Sequence, residues 1–115
     1  MDNQFSPGIR WLTEADEGRG IELRLGDRLS ISLGGNPTAG YSWELAAVDR
    51  RVLVPLGKPG YQPSSAAVGS GGNFAFEFEA AAAGQTAVRL VYRRPWEKRR
   101  RPAQTFGVTV TVEPP

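Results

Sequence analysis

Apolar and polar residues alternate along most of this chain, and turn-forming residues separate the alternating segments. A period of two residues is typical of β-strands that bury one face and expose the other. A period of 3.6 residues is not sustained in any segment, so the sequence predicts no amphipathic helix. The predicted strands cover residues 11–13, 21–25, 29–33, 41–45, 52–54, 73–80, 86–92 and 105–112.

The apolar side chains that share one face of each predicted strand form the predicted core. Trp43 is a strong candidate because large aromatic rings dominate the energetics of small cores. The other predicted core residues are Ile21, Leu23, Leu25, Leu29, Ile31, Leu33, Phe74, Phe76, Phe78, Val88, Leu90, Tyr92, Phe106, Val108, Val110 and Val112. Seven or eight short strands with turns between them indicate an immunoglobulin-like β-sandwich. It would contain no disulfide, because the chain has no cysteine.

The chain of 115 residues fits one domain. We interpret residues 1–10 as a loose N-terminal lead-in and residues 11–113 as a single domain. The strand layout of residues 46–68 is the least defined, because Pro55, Pro59, Gly60 and Pro63 interrupt the pattern after residue 54. Gly26-Asp27 is predicted to form a tight hairpin-like reversal, and the short alanine run from Ala80 to Ala83 a turn rather than a helix.

Three connections have unusual compositions: Gly35 to Tyr41, Gly69 to Gly72, and Arg94 to Trp96. In an antiparallel sandwich every second connection emerges at the same end. The three occupy alternate connections, so we expect them to form one continuous edge. In the first, Pro37 restricts its own backbone and forces Asn36 toward an extended conformation, while glycines permit torsions closed to other residues. A protruding, shape-restricted loop is predicted.

The segment Arg94-Pro95-Trp96 places a tryptophan beside a rigid proline and a guanidinium. Tryptophan and arginine are enriched among the residues that dominate binding interfaces. The alternative is that Trp96 folds back and caps the end of the core. A basic cluster, Arg93, Arg94, Lys98, Arg99, Arg100 and Arg101, surrounds this segment. It is interpreted as a solvated loop or as a nucleic-acid signal, the former being favoured.

Composition argues against several classes of function. The chain has no cysteine and no histidine, which removes thiol nucleophiles, imidazole acid–base chemistry and Cys/His zinc sites. Its twelve Asp and Glu residues are scattered, so neither an enzyme nor a metal or cofactor site is expected. No apolar run is long enough to span a bilayer, and no signal peptide is evident. We expect a monomer that is cytoplasmic or the mature form of an exported protein.

Taken together, the three loops resemble those of the chagasin-type inhibitors of papain-like cysteine peptidases. The family's Asn-Pro-Thr-Thr-Gly-aromatic motif is similar to Asn36-Pro37-Thr38-Ala39-Gly40-Tyr41, where Ala39 replaces the second threonine. Its Gly-x-Gly-Gly motif is met by Gly69-Ser70-Gly71-Gly72, and its Arg-Pro-Trp motif by Arg94-Pro95-Trp96. The motifs occur in the family's order, and the resemblance extends from about residue 13 to residue 112.

This resemblance implies a reversible, competitive inhibitor. The first loop would enter the peptidase cleft, with backbone near Thr38 against the catalytic cysteine and histidine, and the other two loops would grip the sides. Two further hypotheses come from the residues alone. One is an adhesion or carbohydrate-binding module that uses Trp96 as a platform; the other is a nucleic-acid binder that uses residues 93–101.

Overall fold

The computed structural model describes residues 7–65 and 71–115. Within these ranges the chain forms nine β-strands and two short 3-10 turns, Glu14–Asp16 and Pro37–Ala39. The strands are β1 (Ile9–Leu12), β2 (Gly20–Arg24), β3 (Arg28–Gly35), β4 (Ser42–Ala47), β5 (Leu53–Pro55), β6 (Gly60–Pro63), β7 (Gly72–Ala80), β8 (Gly84–Arg93) and β9 (Gln104–Glu113). In this part of the chain no helix is long and apolar enough to cross a membrane.

The strands form two sheets. The first sheet has the order β1-β3-β7-β5, with β6 also paired to β7, and the second has the order β2-β9-β8-β4. Most pairs are antiparallel, but β1 runs parallel to β3 and β2 runs parallel to β9. The predicted all-β sandwich of immunoglobulin-like type is therefore confirmed.

The core lies between the sheets and contains the residues that alternation predicted. Leu29, Ile31 and Leu33 are fully buried, and Trp43 is 4% exposed. All the remaining predicted core residues are buried as well, apart from Leu25, which is partly buried against the cluster. A strict period of two therefore identified the inward face of every long strand.

The poorly defined region contains two short edge strands instead of the single one predicted. Both β5 and β6 pair antiparallel with β7, so they run in the same direction. The interruption between them therefore does not reverse the chain. Proline donates no backbone hydrogen bond, and it is tolerated here because both strands lie at the sheet edge.

The hairpin predicted at Gly26-Asp27 is wrong. The strands that it joins lie in different sheets, since β2 pairs with β9 and β3 pairs with β1 and β7. The Asp27 carboxylate accepts hydrogen bonds from the backbone N–H groups of Arg24 and Gly8, at 2.9 and 3.0 Å. Gly26 has φ 87°, which supplies the tight reversal. The turn residues were identified correctly, but they make a corner between sheets.

Candidate functional site

The topology gathers the three unusual connections at one end of the sandwich. The first loop (residues 36–41) crosses from β3 in the first sheet to β4 in the second. The second loop (residues 64–71) closes the β6–β7 hairpin, and the third loop (residues 94–103) closes the β8–β9 hairpin. Because β7 lies beside β3 and β8 lies beside β4, the first loop occupies the middle of this edge.

The first loop is a capped 3-10 turn. Asn36 is extended, with φ −139° and ψ 109°, and its side chain accepts a hydrogen bond from the Thr38 N–H at 3.0 Å. Pro37 opens the turn, and Gly40 closes it in the left-handed conformation with φ 87°. Residues 37–39 are exposed at the apex. The extended residue before proline and the glycine torsion both agree with the sequence-based prediction.

The hydroxyl of Tyr92 holds the beginning of this turn. It accepts a hydrogen bond from the backbone N–H of Asn36 at 2.9 Å and donates one to the Asn36 carbonyl at 3.2 Å. Tyr92 is 8% exposed, and its ring stacks on Tyr41 and contacts Trp43, with centroids 5.3 and 5.2 Å away. A core residue thus fixes both backbone polar groups of the residue that caps the apex.

The end of β3 is packed just as closely. Trp43 Nε1 donates a hydrogen bond to the carbonyl of Gly34 at 2.9 Å. A Cβ atom at Gly35 would lie 2.8 Å from a ring carbon of Phe74 and 2.9 Å from one of Tyr92. Such distances are shorter than normal carbon–carbon contacts. Glycine at position 35 therefore allows the aromatic cluster to reach the base of the first loop.

Arg94 fastens the other side of the turn. Its Nε donates a hydrogen bond to the Ala39 carbonyl at 2.8 Å, and its guanidinium carbon lies 4.8 Å from the centroid of the Tyr41 ring. A longer ion pair of 3.5 Å joins it to Glu97 within the third loop. The guanidinium and the Tyr41 ring are both engaged inside the molecule, so these two predicted contact residues hold the first loop in place.

Trp96 is 68% exposed, yet it is not free. Its indole lies over Gly40, where a Cβ atom would overlap the ring. The alternative that Trp96 caps the core is wrong, because its ring packs on the first loop and most of it faces solvent. Pro95 beside it is exposed as well.

The described end of the second loop, Gly71, lies against the base of the first loop. Gly71 has φ 79°, and a Cβ atom there would lie 3.2 Å from the Gly35 carbonyl oxygen. The backbone N–H and the hydroxyl of Ser64 both donate to the Gly71 carbonyl at 2.9 Å, and Gly72 pairs with Gly35 in the β3–β7 ladder. The predicted site residues Gly69 and Ser70 lie outside the described residues.

The exposed groups of this edge include the apex of the first loop, Pro95 and Trp96. Among the described residues, no group of three or more acidic side chains could hold a metal ion, and the whole chain has no histidine or cysteine. Sequence reasoning missed Tyr92 and Trp43 as supports of the first loop and assigned them to the core alone. The signal available was that Tyr92, the last aromatic residue of β8, lies only two residues before Arg94.

Comparison with known proteins agrees on one family. The family model for chagasin family peptidase inhibitors matches residues 22–110. Amoebiasin-1 of Entamoeba histolytica is 30% identical over 102 residues, which cover 89% of this chain and 98% of that protein. Chagasin of Trypanosoma cruzi is 29% identical over 101 residues, covering 84% and 92%. The crystal structure of the cysteine protease inhibitor EhICP2 from Entamoeba histolytica superposes with a TM-score of 0.81 at 22% identity, covering 96% and 100%.

Proposed function

Since this chain belongs to the chagasin family of peptidase inhibitors, we propose that its three-loop edge closes the active-site cleft of papain-like cysteine peptidases. The protein is an inhibitor and not an enzyme. Inhibition is reversible and competitive, because the edge occupies the space that the substrate needs and forms no covalent bond.

One observation carries this proposal: the apex of the first loop is exposed while both of its ends are held. Tyr92 binds both backbone groups of Asn36, Arg94 binds the Ala39 carbonyl, and Trp96 covers Gly40. A segment that is already ordered loses little conformational entropy on binding, so more of the contact energy appears as affinity. Residues 37–39 are therefore a preorganised insert.

The same restraint explains how the loop can resist cleavage. Peptide hydrolysis requires the scissile carbonyl to reach a near-attack geometry at the catalytic sulfur. The Pro37–Ala39 segment is a 3-10 turn with side-chain bonds at each end, so moving a carbonyl into that geometry would break several of these contacts. In the complex, Thr38 at the apex would lie closest to the catalytic cysteine and histidine.

The contacts within the edge indicate which residues would touch the peptidase and which position the first loop. The exposed groups, Pro37 to Ala39 and Pro95-Trp96, are available to the peptidase. Gly71, at the described end of the second loop, adds no side chain beside the base of the first loop. Tyr41 and Arg94 act as positioning residues, because their contacts are made within the inhibitor.

The direct test is titration of papain activity with the purified protein. The expected result is sub-micromolar competitive inhibition, which raises the apparent KM for a small fluorogenic substrate and leaves kcat unchanged. Trypsin, a serine peptidase, should be unaffected. Full papain activity at an inhibitor concentration on the order of 10 µM would contradict the proposal. A Kd of that size corresponds to a binding free energy of only about 7 kcal/mol.

A matched pair of variants locates the insert. Thr38→Glu should weaken papain inhibition at least about a hundredfold, because a carboxylate buried without a partner costs several kcal/mol. Thr109→Glu adds the same charge at an exposed position on β9 and should inhibit like the parent. If Thr38→Glu inhibits as well as the parent, the first loop is not the insert, although another part of the chain could still bind the peptidase.

A further inference from the structure

The charge of this protein is distributed very unevenly along the chain. Residues 93–101 contain six of the fourteen Lys and Arg residues but only one of the twelve Asp and Glu residues, which gives this segment a formal charge of +5. The other eight cations and eleven carboxylates give the remainder −3. A formal net charge of +2 therefore conceals one strongly basic loop on an acidic body.

Four of these cations are not neutralised within the described structure. Lys98, Arg99, Arg100 and Arg101 are all exposed, and no described carboxylate forms an ion pair with them. Glu97, the single acid of the segment, is already paired with Arg94 at 3.5 Å. Adjacent like charges repel each other, and no described carboxylate pairs with these four cations to offset the repulsion. A hairpin connection has no structural need for them.

The position of this cluster joins it to the three-loop edge. Residues 98–101 belong to the same ten-residue loop as Trp96, whose indole lies over Gly40 of the first loop. The first and second loops contain no Asp, Glu, Lys or Arg at all. The third loop therefore carries all the charged side chains of the three loops, and their net formal charge is positive.

We propose that Lys98 to Arg101 form an electrostatic docking surface for an acidic patch beside the active-site cleft of the target peptidase. This inference rests on the proposed inhibitory function and adds a selection by charge. The basic loop draws an acidic peptidase toward the three-loop edge and orients that edge before the apex inserts. Exposed charges at an interface rim act mainly on the association rate, which such steering raises by about 10- to 1000-fold.

The aromatic residues nearby favour a protein partner over nucleic acid. Proteins that bind single strands combine cations with aromatic rings on which bases can stack. Here Trp96 already covers Gly40, while Tyr41 and Tyr92 stack on each other. Beside these four exposed cations the described structure places one partly exposed indole and no series of rings for successive bases, so the cations are suited to carboxylate side chains on a protein surface.

The experiment compares two variants, in each of which four cationic residues are replaced by neutral ones, so that both lose the same charge. In the loop variant, Lys98, Arg99, Arg100 and Arg101 are replaced by glutamine. In the control variant, glutamine replaces four exposed cations outside the three loops: Arg10, Arg50, Lys58 and Arg89. Association and dissociation rates are measured by stopped flow with papain and with papain whose surface lysines have been succinylated, a modification that replaces ammonium groups with carboxylates.

The parent protein should associate about tenfold or more faster with succinylated papain than with unmodified papain at ~20 mM salt, and the gain should largely vanish at ~150 mM. The loop variant should lose most of the gain, the control variant should keep it, and dissociation rates should change by less than about twofold. Equal losses in both variants would show that only net charge matters and would overturn the inference. Tight binding of the parent to a fluorescent single-stranded oligonucleotide at ~150 mM salt, lost in the loop variant while its peptidase association is unchanged, would also overturn it.

Failure of the proposed function gives a different result. In that case the parent would inhibit neither form of papain, and the inference would fall with the function. If the parent inhibits unmodified papain but both variants associate with succinylated papain at the same rate, only the inference of a docking surface is contradicted. The proposed inhibitory function then stands.

Discussion

The indole of Trp96 lies directly over Gly40, so closely that the first side-chain carbon of any other residue at position 40 would overlap the ring. Gly40 also has φ 87°, a backbone conformation that other residues adopt only with strain. Two loops that are far apart in the sequence therefore share one contact. The conformation of the first loop and the position of the most exposed tryptophan depend on each other.

Gly40→Ala should consequently break the contact between the first loop and Trp96 of the third loop. We expect papain inhibition to weaken about tenfold or more, because the new methyl group displaces Trp96 and strains the turn by about 1 kcal/mol. The matched control is Gly57→Ala. Gly57 has φ 67°, but a Cβ atom added there would meet no other atom within 4 Å. The control variant therefore carries the backbone strain without the steric overlap.

Thermal melting and inhibition constants are measured for both variants. We expect both variants to lose a similar amount of stability. Only Gly40→Ala should also lose inhibition of papain. Equal inhibition by the two variants would mean that the contact between Gly40 and Trp96 does not matter for binding.

Trp96→Ala should weaken papain binding by about 2 kcal/mol or more, roughly thirtyfold, as for a rigid aromatic residue in an interface. The fold should remain intact, because the side chain is 68% exposed. Trp11→Ala is the control: Trp11 is 67% exposed but lies on β1. Circular dichroism reports folding and titration of papain reports binding. Comparable losses of inhibition in both variants would argue against a specific role for Trp96.

Tyr92→Phe removes one hydroxyl and leaves the stacked rings in place. The two hydrogen bonds between this hydroxyl and the Asn36 backbone are lost, which should cost about 1–3 kcal/mol of stability. The first loop should also become more mobile, so inhibition should weaken and papain should cleave the loop faster. Cleavage is followed by mass spectrometry during prolonged incubation.

Tyr61→Phe provides the control for this change. The ring of Tyr61 packs on Phe74 with centroids 4.7 Å apart, and its hydroxyl has no hydrogen-bond partner among the described residues. Loss of this hydroxyl should change neither stability nor cleavage. If Tyr92→Phe behaves in the same way, the hydroxyl does not order the loop.

Acid should destabilise the fold through three carboxylates that lie outside the three loops. A backbone hydrogen bond from Thr13, assisted by Arg19, lowers the pKa of Asp16, and hydrogen bonds from Arg51 lower the pKa of Asp49. Burial alone would raise the pKa of Asp27, but the backbone N–H groups of Arg24 and Gly8 outweigh it and the pKa is lowered.

A carboxyl group whose pKa is lower in the folded state stabilises the fold above its unfolded pKa, and that stability is lost as the pH falls through the folded value. The chain has no histidine, so Tm should be nearly constant from about pH 5 to 8 and should fall below about pH 4. Differential scanning calorimetry from pH 3 to 8 measures this. Asp49→Asn should melt below the parent at pH 7 and approach it at pH 3. A transition near pH 6 would contradict the assignment.

Residues 29–33 illustrate how much the sequence determined. Their alternation alone predicted that Leu29, Ile31 and Leu33 would face the core, and all three are fully buried. A strand places successive side chains on opposite faces, so local polarity is enough to reveal which face meets the core. Within the first loop, the proline rule predicted the extended Asn36, and the choice of glycine predicted the left-handed residue 40.

Pairing between distant segments was decided only by the tertiary structure. Gly26-Asp27 has the composition of a hairpin turn, yet it joins two sheets because β2 finds its partner in β9. The bonds from Tyr92 to Asn36 and from Arg94 to Ala39 connect residues 56 and 55 positions apart. A sequence pattern reports on neighbours along the chain, whereas these contacts depend on which strands lie side by side. The sequence alone therefore determined the long strands, their buried faces and the three loop motifs. The packing of the two sheets decided that a tyrosine, an arginine and a tryptophan would hold one exposed turn.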